Sequence, residues 1–418
     1  LFFCELLSGN TVLKMQERSL VFSLGRGMSR KTMYSHGVEV SAASEMIASQ
    51  AFAAKNLCSS EDRYRLFEML SYAGIVRSVG QPPFGFTGNM AIRNWFIENL
   101  SGLSFGNQKV YDILNNDMKE DLINFSGTKR TLRYLMRYSD SDLNAVDSIV
   151  TGLIDSESYR SKLSAMYSER DFASVVTEKN HKKSILSYIL ETAAYIVSAT
   201  SILDDAVRNS CIISHQVLYF LRSNEEFSED ITEEEYQKYC LLVNSLDKYS
   251  LKNIEGDDYR STEAETVHRW TLLLRNEMCR SAAECLSENF EQIMLGTFRK
   301  DLISGSWCRI LKPLFARLLD VLADSASYVD SCLESEKIIL GLTDRIVRAA
   351  VKYDSSEKLS SIEDKIIYII PEKYKKVYRE SSSGKSESEK LYLRILMALD
   401  YICDMTDREA EKTYSKIC

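Results

Sequence analysis

Proline is scarce in this chain: there are four among 418 residues, and two of them, Pro82 and Pro83, are adjacent. A scarcity on this scale excludes proline-rich linkers and extended recognition segments and leaves room for long, uninterrupted helices. Other patterns are missing. No two of the ten cysteines stand as Cys-x-x-Cys, so the spacing of common zinc and dithiol sites is absent. Scattered cysteines without such spacing are expected to be reduced thiols in a cytoplasmic protein. No Asn-Gly pair marks a tight hairpin. Net charge is −8, so bulk charge does not argue for nucleic-acid binding, although a local basic patch stays open. The longest apolar run, 184–203, is interrupted by Glu191 and several Ser and Thr, and no membrane span is expected. The opening LFFCELLSGN has no basic segment before its apolar residues and reads as a poor secretion signal. It begins on Leu rather than Met, so further residues are expected upstream.

What is present is helical periodicity. In EKLYLRILMALDYICDM, the residues Leu391, Ile395, Ala398, Leu399, Ile402 and Met405 fall on one stripe. Capping boxes are expected at Ser59 with Asp62, Thr232 with Glu235 and Ser360 with Glu363. The expected class is all-α. Two stretches read as loops: LRSNEEFSED (221–230), and the Ser-rich ESSSGKSESE (380–389), which is expected to be mobile. The pair Trp95 and Phe96 is expected in the core.

The stretch GIVRSVGQPPFGFTGN (74–89) sets a stiff corner between helical patterns, because proline presets φ and glycine permits conformations that other residues resist. Here the chain resembles the deoxyguanosine triphosphate triphosphohydrolases, dNTPases of the HD superfamily. Their motif reads His-Asp-Ile-Gly-(His/Asn)-Pro-Pro-Phe-Gly-His-x-Gly-Glu. Further resemblances lie in QERSLVFSLGRGMSRKTMYSHGVEVS, DLINFSGTKRTLR, ILETAAYIVSATSILDDAV, IPEKYKKVY and DYICDMTDREAEKTY, in the family's order and across almost the whole chain. The resemblance implies an HD-domain dGTPase-like helical fold. Its core would lie at 1–220, with a C-terminal helical portion at 221–418 packed on it as one unit.

In such a site two His and two Asp hold a divalent ion, which polarises phosphate and activates water. Residue by residue, the resemblance carries the first ligand onto His36, the His-Asp pair onto Arg77 and Ser78, and the last Asp onto Ala194. Arg cannot ligate a metal and repels a cation. The family's catalytic His and Glu fall on Asn124 and Ser126, neither of which shuttles a proton near neutral pH. The next two motif positions are Phe86 and Asn89. The sugar contacts become Ser198 and Ile202, while Gln16 keeps a sugar-contacting position. A slipped alignment would instead offer Asp204 and Asp205 as metal carboxylates.

The resemblance therefore implies a degenerate member without catalytic residues or resident metal. It would act through homo- or hetero-oligomers with dGTPase-like subunits, or by sensing a nucleotide or single-stranded DNA. Mg²⁺ or Mn²⁺ enters only if the site has been rebuilt into an active triphosphohydrolase; a structural subunit of a larger complex is the third reading. Ligand contacts are expected at Gln16, Arg77, Lys373, Lys375 and Lys376, the last three in a basic run with Tyr interleaved. Arg77 would serve as an anion hook or as an internal replacement for the ion's charge. His36 is otherwise expected to be a hydrogen-bonded structural residue. His181, within the basic run 179–183, is expected to be solvated. His215 and His268 lack metal partners at helical spacing.

Overall fold

A computed structural model describes residues 9–22, 31–55, 60–127, 183, 185–223, 231–251 and 259–418. His181, the basic run up to residue 182, and Ser59 lie outside the described residues.

The all-α expectation holds. The principal helices are α1 (Met33–Lys55), α2 (Ser60–Val76), α3 (Gly85–Asn99), α4 (Asn116–Ile123), α5 (Ile185–Arg208), α6 (Ser214–Arg222), α7 (Glu233–Leu251) and α8 (Tyr259–Glu288). They continue with α9 (Leu311–Ala323), α10 (Ala326–Val351), α11 (Ser361–Ile369), α12 (Glu372–Ser382), α13 (Glu387–Ile402) and α14 (Asp407–Ile417). Among the described residues, extended structure is confined to an antiparallel pair, β1 (Ser104–Phe105) with β2 (Gln108–Lys109). Gly106 at φ +59° turns that pair, so a Gly-Asn turn does here what an Asn-Gly search cannot find.

Buried side chains form two clusters. In the first, α1, α2, α5 and α8 pack on one another around Ile47, Phe52, Leu70, Ile189, Val197 and Leu274. In the second, α10 packs on α3, α11, α13 and α14 around Phe96, Leu342, Ile346, Leu391 and Leu399. The clusters alternate along the chain, because α3 and α4 join the second while α5 through α9 belong to the first. The predicted stripe from Leu391 to Met405 is buried throughout. Trp95 and Phe96 are buried edge to face with ring centroids 5.0 Å apart, and the Trp95 indole donates to Asp344 at 3.2 Å.

Helix starts follow the capping chemistry. The boxes at Thr232 with Glu235 and Ser360 with Glu363 form as expected. Two more form at Ser386 with Glu389 and at Thr406 with Glu409. The first of these corrects the reading of 380–389 as a mobile loop. Glu380 to Ser382 complete α12, and Ser386 caps α13. Ser386 accepts the Glu389 N–H as the N-cap, while the Ser382 and Ser388 hydroxyls donate to the Arg379 and Ile113 carbonyls. Helix α5 is long and apolar enough to cross a membrane by length and composition, but most of it is buried inside the protein.

Candidate functional site

The Pro-Pro corner is held from three directions. Phe84 has φ +60°, and Gly85 follows at φ +55°, where a Cβ would overlap the Leu20 carbonyl oxygen. At Gly88 a Cβ would overlap the Pro83 carbonyl oxygen. The Phe84 N–H donates to Asp407 Oδ1 at 2.9 Å, and Ser19 donates to Asp407 Oδ2 from its N–H at 3.0 Å and its hydroxyl at 2.7 Å. Arg18 donates from Nε to the Met405 carbonyl at 2.9 Å and from an Nη to the Gln81 carbonyl at 3.1 Å. Three stretches that resemble family motifs thus meet at one buried node: Arg18–Ser19, the Pro-Pro corner, and the Met405–Asp407 turn. The spatial reason for these motifs is structural.

Beside the corner lie Asn124 and Ser126, onto which the resemblance carries the family's catalytic His and Glu. Asn124 and Ser126 are both exposed, just past α4. The Ser126 carbonyl accepts from Gln81 Nε2 at 2.8 Å, the Asn89 amide donates to Gln81 Oε1, and Arg93 donates to Asn124 Oδ1 at 3.4 Å. Amides and one guanidinium occupy this place, and none of them moves a proton near neutral pH.

The His36 cluster lies where α1, α2, α5 and α8 meet. Thr32 starts α1 by accepting the Ser35 N–H at 3.1 Å, which fixes His36 in the first turn. Gly37 lets α1 press on α2: a Cβ there would stand 3.0 Å from Ile75 Cα. This close approach brings the end of α2, with Arg77 and Ser78, to His36. His36 is buried, and its Nδ1 has no hydrogen-bond partner among the described residues. That corrects the expectation of a hydrogen-bonded structural histidine. Burial first, and then the Arg77 guanidinium, push its pKa down to about 3. Arg275 and Lys31 act in the same direction and Glu39 against them. His36 is neutral at any physiological pH. Arg77 is half-buried, and Ser78 and Ala194 are buried.

Glu39, one turn after His36, balances these cations. It accepts from Lys31, from an Arg275 Nη at 2.9 Å and from the Ser201 hydroxyl at 3.3 Å. Arg275 also donates to the Thr200 hydroxyl at 3.0 Å. Beyond it, Asp204 pairs with His268 Nδ1 at 2.9 Å and accepts from Arg208 Nε at 3.0 Å. Asp205 is buried, and its Oδ2 accepts from the Lys31 N–H at 3.4 Å. Burial raises its pKa to about 7, against the Lys31 N–H and helped by Asp204.

Sequence reasoning missed Glu39, Arg275, Lys31 and the His268–Asp204 pair. Their partners lie far along the chain; Glu39 and Arg275 are 236 residues apart. The carboxylate that holds His268 sits on another helix, beyond the helical spacing the sequence analysis considered. Only Glu39 left a local signal, an acidic residue one turn from the one retained ligand position.

These residues do not fit a divalent ion. The two positions after His36 that should donate hold a guanidinium and a hydroxyl, and the third holds a methyl group. Among the described residues no three His, Cys, Asp or Glu side chains come together in a way that could hold a metal. No step through a metal follows from this donor set.

The remaining predicted contacts lie elsewhere. Gln16 is exposed in a single 3₁₀ turn. Lys373 pairs with Asp404 at 2.8 Å, and Tyr374 also donates to that carboxylate. Lys376 stands 3.9 Å from Glu380 on an exposed face, and Lys375 is half-buried on the same helix. Lys373 lines a cavity of about 280 Å³ with Lys14, Lys412 and Lys416. Lys14 there donates to the Asp404 carbonyl at 3.0 Å and to Glu409 at 2.9 Å. Lys14, Lys412 and Lys416 were not visible as partners of Lys373 in the sequence.

No protein-family model matches the chain. Over 442 aligned residues it is 27% identical to the deoxyguanosinetriphosphate triphosphohydrolase-like protein of Listeria monocytogenes, covering 99% of this chain and 92% of that protein. The same identity and coverage hold for the protein of that name in Listeria innocua. With helices throughout, this chain is similar over nearly its full length to proteins named deoxyguanosinetriphosphate triphosphohydrolase-like.

Proposed function

We propose that the chain is a catalytically inactive dGTPase-like protein that acts by binding. It acts in the cytoplasm either by assembling with itself or with an active dGTPase-like subunit, or by sensing a nucleotide or single-stranded DNA. The observation that carries this reading is the charge at His36. Where the family's motif calls for an Asp and a His that attract a cation, the Arg77 guanidinium helps hold the remaining imidazole neutral, down to a pKa of about 3. Loss of the ligands coincides with loss of titratable groups at Asn124 and Ser126, so both halves of a hydrolytic mechanism are missing together. The cavity around Lys373 also holds Lys412 and Lys416, although Lys373 and Lys14 there are paired with Asp404 and Glu409.

The test is dGTP hydrolysis with Mg²⁺, Mn²⁺ and Co²⁺, run beside metal analysis of the purified protein. Stoichiometric metal with triphosphate release overturns the proposal. One observation favours a second reading, an active enzyme with a rebuilt site: His268, held by Asp204, is a partly exposed carboxylate–imidazole pair beside the raised Asp205. Under that reading hydrolysis is present and His268→Ala abolishes it. A structural subunit is distinguished by native mass measurement, which would give a fixed hetero-oligomer independent of nucleotide.

A further inference from the structure

A cavity of about 380 Å³ lies between α5 and α9. Its walls are Tyr195, Ser198 and Ile202 from α5, with Phe315, Leu318 and Leu322 from α9. The volume falls within the range of small-molecule sites. Ser198 and Ile202 are the positions to which the family resemblance assigns sugar contacts, yet the lining is almost wholly apolar. A nucleotide sugar, with its ring oxygen and hydroxyls, finds few partners on such walls and loses its hydration on entry.

One end is different. Lys312 Nζ stands 5.6 Å from the Tyr195 ring, and the Tyr195 and Phe315 rings meet edge to face at 6.4 Å. Lys312 is the charged member of the described lining, but it is already neutralised. It pairs with Asp301 at 2.8 Å and donates to the Ser304 hydroxyl at 2.5 Å. The Asp301 carboxyl is held near 2, although burial pushes the other way, chiefly through its bonds with Lys312 and Ser304. The Tyr195 hydroxyl stays protonated, pushed up to about 12 by burial, and remains a donor. This end therefore offers hydrogen-bond donors without net charge. The lining on α9 runs from Lys312 to Leu322, about 15 Å at 1.5 Å per residue.

We infer that this cavity binds an uncharged single-chain amphiphile: a hydrogen-bonding head such as an alcohol at Tyr195 and Lys312, and an unbranched alkyl chain along the aliphatic walls. A chain of roughly ten to twelve carbons matches the lined length. The inference goes beyond the proposed function, and it stands whether or not the chain hydrolyses dGTP.

The test is isothermal titration of the full chain with decan-1-ol. One site per chain is expected. Octan-1-ol should bind about 15-fold more weakly, since each buried methylene contributes about fourfold. Decanoate at pH 8 should bind at least about tenfold more weakly than the alcohol, because its charge meets no net counter-charge. Ala199→Trp, which fills the cavity, should abolish binding. Leu319→Glu, on an exposed rim position, should weaken it about tenfold or more with the helical circular dichroism unchanged. The inference is overturned by absent decan-1-ol binding, by affinity independent of chain length, by 1-naphthol binding more tightly than decan-1-ol, or by decanoate equalling decan-1-ol. It is equally overturned if dGTP displaces decan-1-ol one for one, or if Leu319→Glu binds as the unmodified chain does. The dGTP hydrolysis assay is read separately, so failure of one conclusion leaves the other standing.

Discussion

Replacing His36 by glutamine tests the electrostatics of the His36 cluster directly. The His36 pKa falls from 6.5 to about 3 on folding, through burial first and then the Arg77 charge. Between those values the unfolded chain binds a proton that the folded chain refuses, so stability falls as pH falls. From pH 7.5 to pH 5.0 this one group removes about 2 kcal/mol. Asp205 works in the opposite sense. Its pKa rises from 3.8 to about 7 on folding, chiefly through burial, so the folded chain holds a proton that the unfolded chain releases. Its contribution is present at low pH and lost as pH rises through 7; over the same interval acidification adds about 2.5 kcal/mol. The two contributions nearly cancel in the unmodified chain. Urea unfolding at pH 7.5 and pH 5.0 reads the balance. His36→Gln should gain about 2 kcal/mol relative to the unmodified chain on acidification, and Asp205→Asn should lose about 2.5 kcal/mol. A stability difference for His36→Gln that is the same at both pH values would refute the reasoning, because it would mean that His36 titrates normally in the folded chain.

Three other outcomes are expected. Asp407→Ala strips the acceptor from the Ser19 and Phe84 N–H groups at the corner node, and should cost about 3 kcal/mol or more in urea unfolding. Gly85→Ala places a Cβ against the Leu20 carbonyl in a backbone region that favours glycine, and should cost about 2 kcal/mol or more in the same assay. Burial pushes the thiols of Cys279 and Cys308 up to about 12, so iodoacetamide at pH 8 should label exposed Cys418 well before these two, which react only once the chain unfolds.

Periodicity made the helices legible, because an amphipathic stripe needs only residues within a few turns of one another. The stripe from Leu391 and the capping boxes at Thr232 and Ser360 are of this kind. The Ser-rich stretch at 380–389 was misread because composition alone does not separate a solvated loop from one helix end, at Ser382, followed closely by the N-cap of the next, Ser386. His36, Arg77, Ser78 and Ala194 were singled out by the family resemblance; a guanidinium and a methyl group there offer a cation no donor.

The sequence by itself determined the helical class and the position of the stiff corner, because each depends on side-chain identity at fixed local spacing. Only the tertiary structure decided that Glu39 balances Lys31 and Arg275, that Asp204 holds His268, and that Asp407 clamps the Pro-Pro corner. It alone decided that His36 is buried without a hydrogen-bond partner at Nδ1 among the described residues. The physical reason is that charge pairing and burial act through space over a few ångströms, between groups that can stand more than two hundred residues apart.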